Sequence, residues 1–120
     1  MKKKILVVDD DEISREIISA WLLNNGYEVA LAVNGKEGYE QCRSIKPDAV
    51  IMDILMPDLN GDEVAELIRN DEAIGHIPII FVTAMVSGNE VPCNNLIGGQ
   101  YMVAKPFAGE ELRNILAQVI

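Results

Sequence analysis

The chain is predicted to be an α/β protein, a five-stranded parallel sheet with helices on both faces. Short β-branched runs alternate with stretches of helical apolar spacing, and such alternation implies right-handed crossovers and a parallel sheet. The runs Ile5-Leu6-Val7-Val8 and Ala49-Val50-Ile51-Met52 are apolar without a polar alternate. Strands covered on both faces read that way. The count is five strands and about five helices in 120 residues, which makes residues 1–120 one domain by length. A hydrophobic fraction of 49% is enough for a core, and there is no internal repeat or linker.

Lys4 to Val8 is the first strand, and Asp9-Asp10-Asp11-Glu12 follows it. Asp11 and Glu12 suit a helix N-terminus, where the macrodipole favours acids. Asp9 and Asp10 instead close the strand. Ile13, Ile17, Ile18, Trp21 and Leu22 recur at helical spacing, so Trp21 is expected in the core or at its margin. Asn25-Gly26 ends this helix, with glycine at the left-handed C′ position. Glu28 to Val33 is more mixed and reads as an edge strand. Asn34 is the expected N-cap of the second helix, which turns Tyr39, Cys42 and Ile45 inward. Pro47-Asp48 leads into the central strand, Ala49 to Met52. Asp53 closes that strand, and Pro57, unable to join a ladder, keeps it short.

Asp58-Leu59-Asn60-Gly61 is a turn signal ahead of a third helix carrying Val64, Leu67 and Ile68. Asp71 to His76 is a polar connection, and Pro78 to Val82 is the fourth strand, ending at Thr83-Ala84. Met85 to Gln100 is the least regular stretch. Its glycines, asparagines and Pro92 disfavour a helix, so any helix there is expected to be short. Tyr101 to Ala104 is the last strand, ending at Lys105-Pro106. Leu112, Ile115, Leu116 and Val119 make the final amphipathic helix.

A net charge of −9 argues against nucleic acid as a direct partner and against an anionic membrane surface. No run approaches a membrane-spanning length, and the apolar run after Lys2-Lys3-Lys4 is too short for a signal-peptide core. Cys42 and Cys93, without close spacing, fit reduced thiols in a cytoplasmic protein. Cys42 reads as a small core hydrophobe, and His76, the lone histidine, as a solvated loop residue rather than a relay.

In a parallel sheet every strand ends at the same edge, where open α/β sheets bind ligands. Asp9-Asp10, Asp53, Thr83 and Lys105 each end a strand in this reading. Three carboxylates at one address repel unless some protonate or a cation neutralises them. Hard oxygen donors with water suit Mg²⁺. A carboxylate nucleophile forms a mixed anhydride with phosphate, a transient mark. Asp53 is therefore the expected phosphoryl acceptor. The Thr83 hydroxyl is a donor to a phosphoryl oxygen, and the Lys105 ammonium is a counter-charge.

The segments Ile5-Leu6-Val7-Val8-Asp9-Asp10, Met52-Asp53-Ile54-Leu55-Met56-Pro57, Asn60-Gly61, Val82-Thr83-Ala84 and Lys105-Pro106-Phe107 span almost the whole chain. On them it resembles the receiver domain of two-component response regulators, of the stand-alone chemotaxis- or cell-cycle-regulator kind. The resemblance implies a flavodoxin-like (βα)5 three-layer sandwich with strand order 2-1-3-4-5. It implies that Asp53 accepts the phosphoryl group and that Asp10 and Asp53 bind Mg²⁺ directly. Leu55 would join them through its backbone carbonyl, and Asp9 through water. Thr83 and Lys105 would contact the phosphoryl group, and the Lys105–Pro106 bond would be cis. The donor would be a sensor histidine kinase or a histidine phosphotransfer protein. The output would be altered binding to a downstream protein rather than turnover.

The chain departs from the family pattern in three places. Met102 stands where a switching aromatic is usual, and Tyr101, one residue earlier, should face the other way by strand alternation. Leu55, two residues after the acceptor, is apolar, which implies slow loss of the phosphoryl group. Met85 to Gln100, where the family's output surface runs, is atypical. Three other readings fare worse. An aspartyl-phosphate hydrolase of the haloacid-dehalogenase type needs a second carboxylate at the Leu55 position and a cap. A flavin carrier needs a phosphate loop where this chain has four acids. A degenerate receiver, used only for binding, would not need all five site residues.

Overall fold

The computed structural model describes residues 3–53, 61–83, 95–97, 100–104 and 109–119. Along the chain run β1 (Lys4–Val8), α1 (Glu12–Asn24), β2 (Glu28–Ala32), α2 (Gly35–Ile45), β3 (Ala49–Met52), α3 (Gly61–Asn70), β4 (Ile79–Thr83), β5 (Asn95–Ile97), β6 (Gln100–Ala104) and α4 (Gly109–Val119). The sheet order is β2-β1-β3-β4-β6-β5. The first four neighbouring pairs, from β2·β1 to β4·β6, are parallel. This is the expected flavodoxin-like sheet, with β6 as the fifth parallel strand.

One expectation is corrected. Strands and helices do not alternate strictly, because β5 pairs antiparallel with β6 and adds a sixth strand at the edge. Ile97 pairs with Gln100, so two residues, Gly98 and Gly99, separate the paired strands. A Gly-Gly dipeptide between two short strands is a hairpin signal. The remainder of Met85 to Gln100, including Cys93, lies outside the described residues, as does the turn Asp58 to Asn60.

The sheet divides the apolar core into two layers. Successive strand residues point to opposite faces. Leu6, Val8, Val50, Met52, Ile79 and Phe81 pack with Val64, Ala65 and Ile68 of α3 and Cys42 of α2. Ile5, Val7, Ala49, Ile51, Ile80 and Val82 pack on the other face with Ile18 and Leu22 of α1 and Leu112, Ile115 and Leu116 of α4. β1 and β3 are buried on both faces, as their unbroken apolar runs require, whereas β2, at the sheet edge, is mostly only partly covered, with Ala32 alone among its residues fully buried. Trp21 is half-buried against the second layer. Of the α1 stripe, Ile13 and Ile17 are exposed, at 67% and 55%.

Local chemistry sets the helix ends. Asp11 caps α1, accepting from the Ile13 amide and, at 2.8 Å, from the Ser14 hydroxyl. Asn25 caps its far end and Gly26 takes φ +88°, a conformation that costs a residue with Cβ. Asn34 caps α2 through the Glu37 amide at 2.8 Å. Lys46 ends α2 in the left-handed region at φ 48°, ahead of Pro47. Gly38 lets α2 approach β1 closely, because a Cβ there would meet both Val8 methyls at 2.8 Å.

The connection after α3 is more than polar filler. The Asp71 carboxylate accepts from the Tyr39 hydroxyl at 2.9 Å, the Ala73 amide at 2.9 Å and Arg43 Nε at 3.1 Å. It thereby ties α2 to the α3–β4 turn. The Ala73 amide and the Tyr39 hydroxyl hold its carboxyl below the usual carboxylate range, and the hydrogen bond to Asp71 pushes the Tyr39 phenol up. A depressed carboxyl contributes stability above its unfolded value of about 4, and that contribution is lost as pH falls through the lower folded value. Asp71→Asn is thus expected to lower the unfolding midpoint at neutral pH. The gap to wild type should close in urea titrations run progressively below about pH 4.

Cys42 is fully buried as the small hydrophobe expected, and burial pushes its thiol up to about 11. His76 is exposed in the turn before β4.

Candidate functional site

β1 and β3 are neighbours in register, with Val8 opposite Met52. Their next residues, Asp9 and Asp53, therefore leave the sheet side by side at its carboxyl edge. The Asp53 amide donates to the Val8 carbonyl at 2.9 Å, and the Asp9 amide to the Ala32 carbonyl at 3.2 Å. Both residues are buried, at 1% exposure for Asp9 and 8% for Asp53. Asp10, the next residue, is exposed. A carboxylate oxygen from each of Asp9, Asp10 and Asp53 lies within 4.8 Å of the other two.

Buried carboxylates are costly without partners. Asp9 has one, since its Oδ1 accepts from the Asp11 amide at 2.9 Å. Asp11 itself caps α1, so its role is structural, while Asp9 and Asp10 converge with Asp53. At an effective dielectric near 20, two unit charges this close repel by roughly 3 kcal/mol. A small hard cation removes that repulsion. Mg²⁺ takes oxygen donors about 2.0–2.1 Å away, so its ligands sit roughly 3–4 Å apart. The three carboxylates fit such an ion with little rearrangement, with Asp9 Oδ1 already engaged by the Asp11 amide.

Thr83 closes β4 at the same edge, opposite Ala104 of β6. Met102 pairs with Phe81, placing the position of the usual switch residue within β6. Lys105, the Lys105–Pro106 bond and Leu55 lie outside the described residues, although Lys105 directly follows Ala104 in the chain.

Arg15 went unnoticed in the sequence. Its Nη1 donates to the Asp9 backbone carbonyl at 2.8 Å. Helical side chains lean toward the N-terminus, so a long cation one turn into a helix that follows an acidic loop can reach back to that loop. That spacing was the available signal.

A flavodoxin-like sheet with three converging carboxylates at its carboxyl edge is an acidic-pocket α/β domain. The chain belongs to the response regulator receiver domain family, whose model matches residues 5–117. It is 41% identical over 112 residues to the response regulator MprA of Mycolicibacterium vanbaalenii, covering 93% of this chain and 48% of that protein. The chain thus spans about half the length of this curated relative. Chemotaxis protein CheY4 of Vibrio cholerae superposes with a TM-score of 0.85 at 29% identity, over 100% of both chains. The receiver domain of sensor histidine kinase PA1611 from Pseudomonas aeruginosa, solved with a magnesium ion in its active-site cleft, gives 0.85 at 30% identity over 99% of this chain and 98% of that one.

Among the described residues, no helix is long and apolar enough to cross a membrane.

Proposed function

We propose that this receiver domain is a Mg²⁺-dependent phosphorylatable module, with Asp53 accepting a phosphoryl group from a histidine kinase or a histidine phosphotransfer protein. The convergence of the Asp9, Asp10 and Asp53 carboxylates within 4.8 Å carries this reading. An Asp53 carboxylate oxygen attacks the phosphorus of a phosphohistidine. A P–O bond forms, the P–N bond breaks, and the imidazole leaves as the neutral ring, keeping the proton already on its other nitrogen. The ladder bond from the Asp53 amide to Val8 holds the nucleophile in place during this in-line step.

Asp10, Asp53 and the Leu55 carbonyl would hold Mg²⁺ directly, and Asp9 through water. Held there, the ion would supply positive charge against the negative charge spreading over the phosphoryl oxygens. Thr83 would donate to one of those oxygens, and Lys105 would pair with another. The phosphorylated form acts by changing its binding to a downstream protein in the cytoplasm, and water returns it to the free carboxylate. With apolar Leu55 two residues from the acceptor, that hydrolysis is slow.

Incubation with acetyl phosphate and Mg²⁺, read by intact mass, tests the assignment. Wild type is expected to gain one phosphoryl group and Asp53→Asn none. A variant that gains the group as wild type does would refute Asp53 as acceptor.

A further inference from the structure

We infer that Arg15 is a positioning residue for the acidic site, holding the Asp9–Asp10 peptide in the orientation that brings Asp10 to the cation. The inference rests on the metal-binding reading above. The Asp9 carbonyl belongs to the peptide joining two of the three converging acids. Its orientation sets the direction in which the Asp10 Cα–Cβ bond leaves the backbone. Asp9 is pinned on its other side by its amide bond to Ala32 and by its Oδ1 bond from the Asp11 amide. The Arg15 bond to the carbonyl completes the restraint, at 2.8 Å from a half-buried guanidinium. Asp10 is exposed and sits on the loop, so its direction depends on the backbone that carries it. α1 is in turn anchored by Ile18 and Leu22 in the core, which gives Arg15 a fixed base from which to act.

Charge and geometry make opposite predictions for Arg15. As a mere positive charge beside three carboxylates, it would compete with a cation, and its removal would tighten Mg²⁺ binding. As a geometric restraint, its removal weakens binding, because Asp10 must then be ordered when the ion arrives. Losing an outer-shell partner of a metal ligand typically costs 10–100-fold in affinity.

Calorimetric Mg²⁺ titration of the wild type, Arg15→Met and Arg15→Lys at constant ionic strength separates these roles. Arg15→Met is expected to bind Mg²⁺ about tenfold more weakly, the lower end of that range. Arg15→Lys, which keeps an N–H donor, is expected to recover part of the loss. In metal-free protein the Asp10 amide resonance of Arg15→Met should broaden or shift, with that of Ala49 unchanged. Equal or tighter Mg²⁺ binding by Arg15→Met overturns the inference, as does a lowered melting temperature with unaltered affinity. A wild type that binds no Mg²⁺ would instead overturn the site reading itself, and this inference with it.

Discussion

Asp10→Asn is expected to raise the melting temperature of the metal-free protein while removing most of the stabilisation that Mg²⁺ confers. The two signs come from one cause. Without a cation, three carboxylates within 4.8 Å repel one another, and Asp10 is the one whose removal leaves the bonds of Asp9 and Asp53 to the sheet intact. Relieving repulsion at this exposed residue, where solvent screens it, is worth on the order of 1 kcal/mol. For a chain of this size that is about 4 °C in melting temperature. With the ion, wild type gains RT ln(1 + [Mg²⁺]/Kd), and a variant lacking a direct ligand gains much less. Thermal melts in chelator and in saturating Mg²⁺ check both halves. A variant less stable than wild type in chelator would show that the carboxylates do not strain the metal-free fold.

The second large effect is expected at Ile51. It lies in the central strand, 1% exposed, packed on the layer formed with α1 and α4. Neighbouring strands β1 and β4 hold β3 on both sides, so the backbone has little room to close a cavity. Ile51→Ala is expected to cost about 3–4 kcal/mol. Against a total stability of roughly 5–15 kcal/mol for a domain, that is a large fraction. Urea unfolding should show a lower midpoint with an unchanged slope. Ile17→Ala, at a side chain 55% exposed, should change stability by under about 0.5 kcal/mol. Comparable losses at the two positions would contradict the burial pattern.

The contrast between Ile51 and Ile17 also marks how far the sequence could be read. Unbroken apolar runs at β1 and β3 can only be strands covered on both faces, so the sheet and its acidic edge were legible from them. Asp9, Asp10 and Asp53 could be placed because each follows such a run, and parallel strands end together. Periodicity on α1 identified a helix but not its buried arc, since Ile13 and Ile17 satisfy the spacing and yet face away from the core. The antiparallel strand β5 was hidden because Gly98-Gly99 weighs against a helix as strongly as it signals a hairpin. The role of Asp71 was invisible for another reason. Its partner Tyr39 is reached through folded geometry, and no local pattern encodes a side-chain bond across 32 residues, whereas the reach of Arg15 back to the Asp9 carbonyl was open to a reading of helix spacing.

The division of the core by the sheet bears on how this protein can be changed. Each apolar layer has its own helices, and a backbone partition separates them. Repacking beneath α3 should therefore leave the fit beneath α4 untouched. Substitutions chosen independently on the two sides should combine by simple addition, as distant sites without shared neighbours do. Redesign could proceed one compartment at a time, with the acidic rim left as it is.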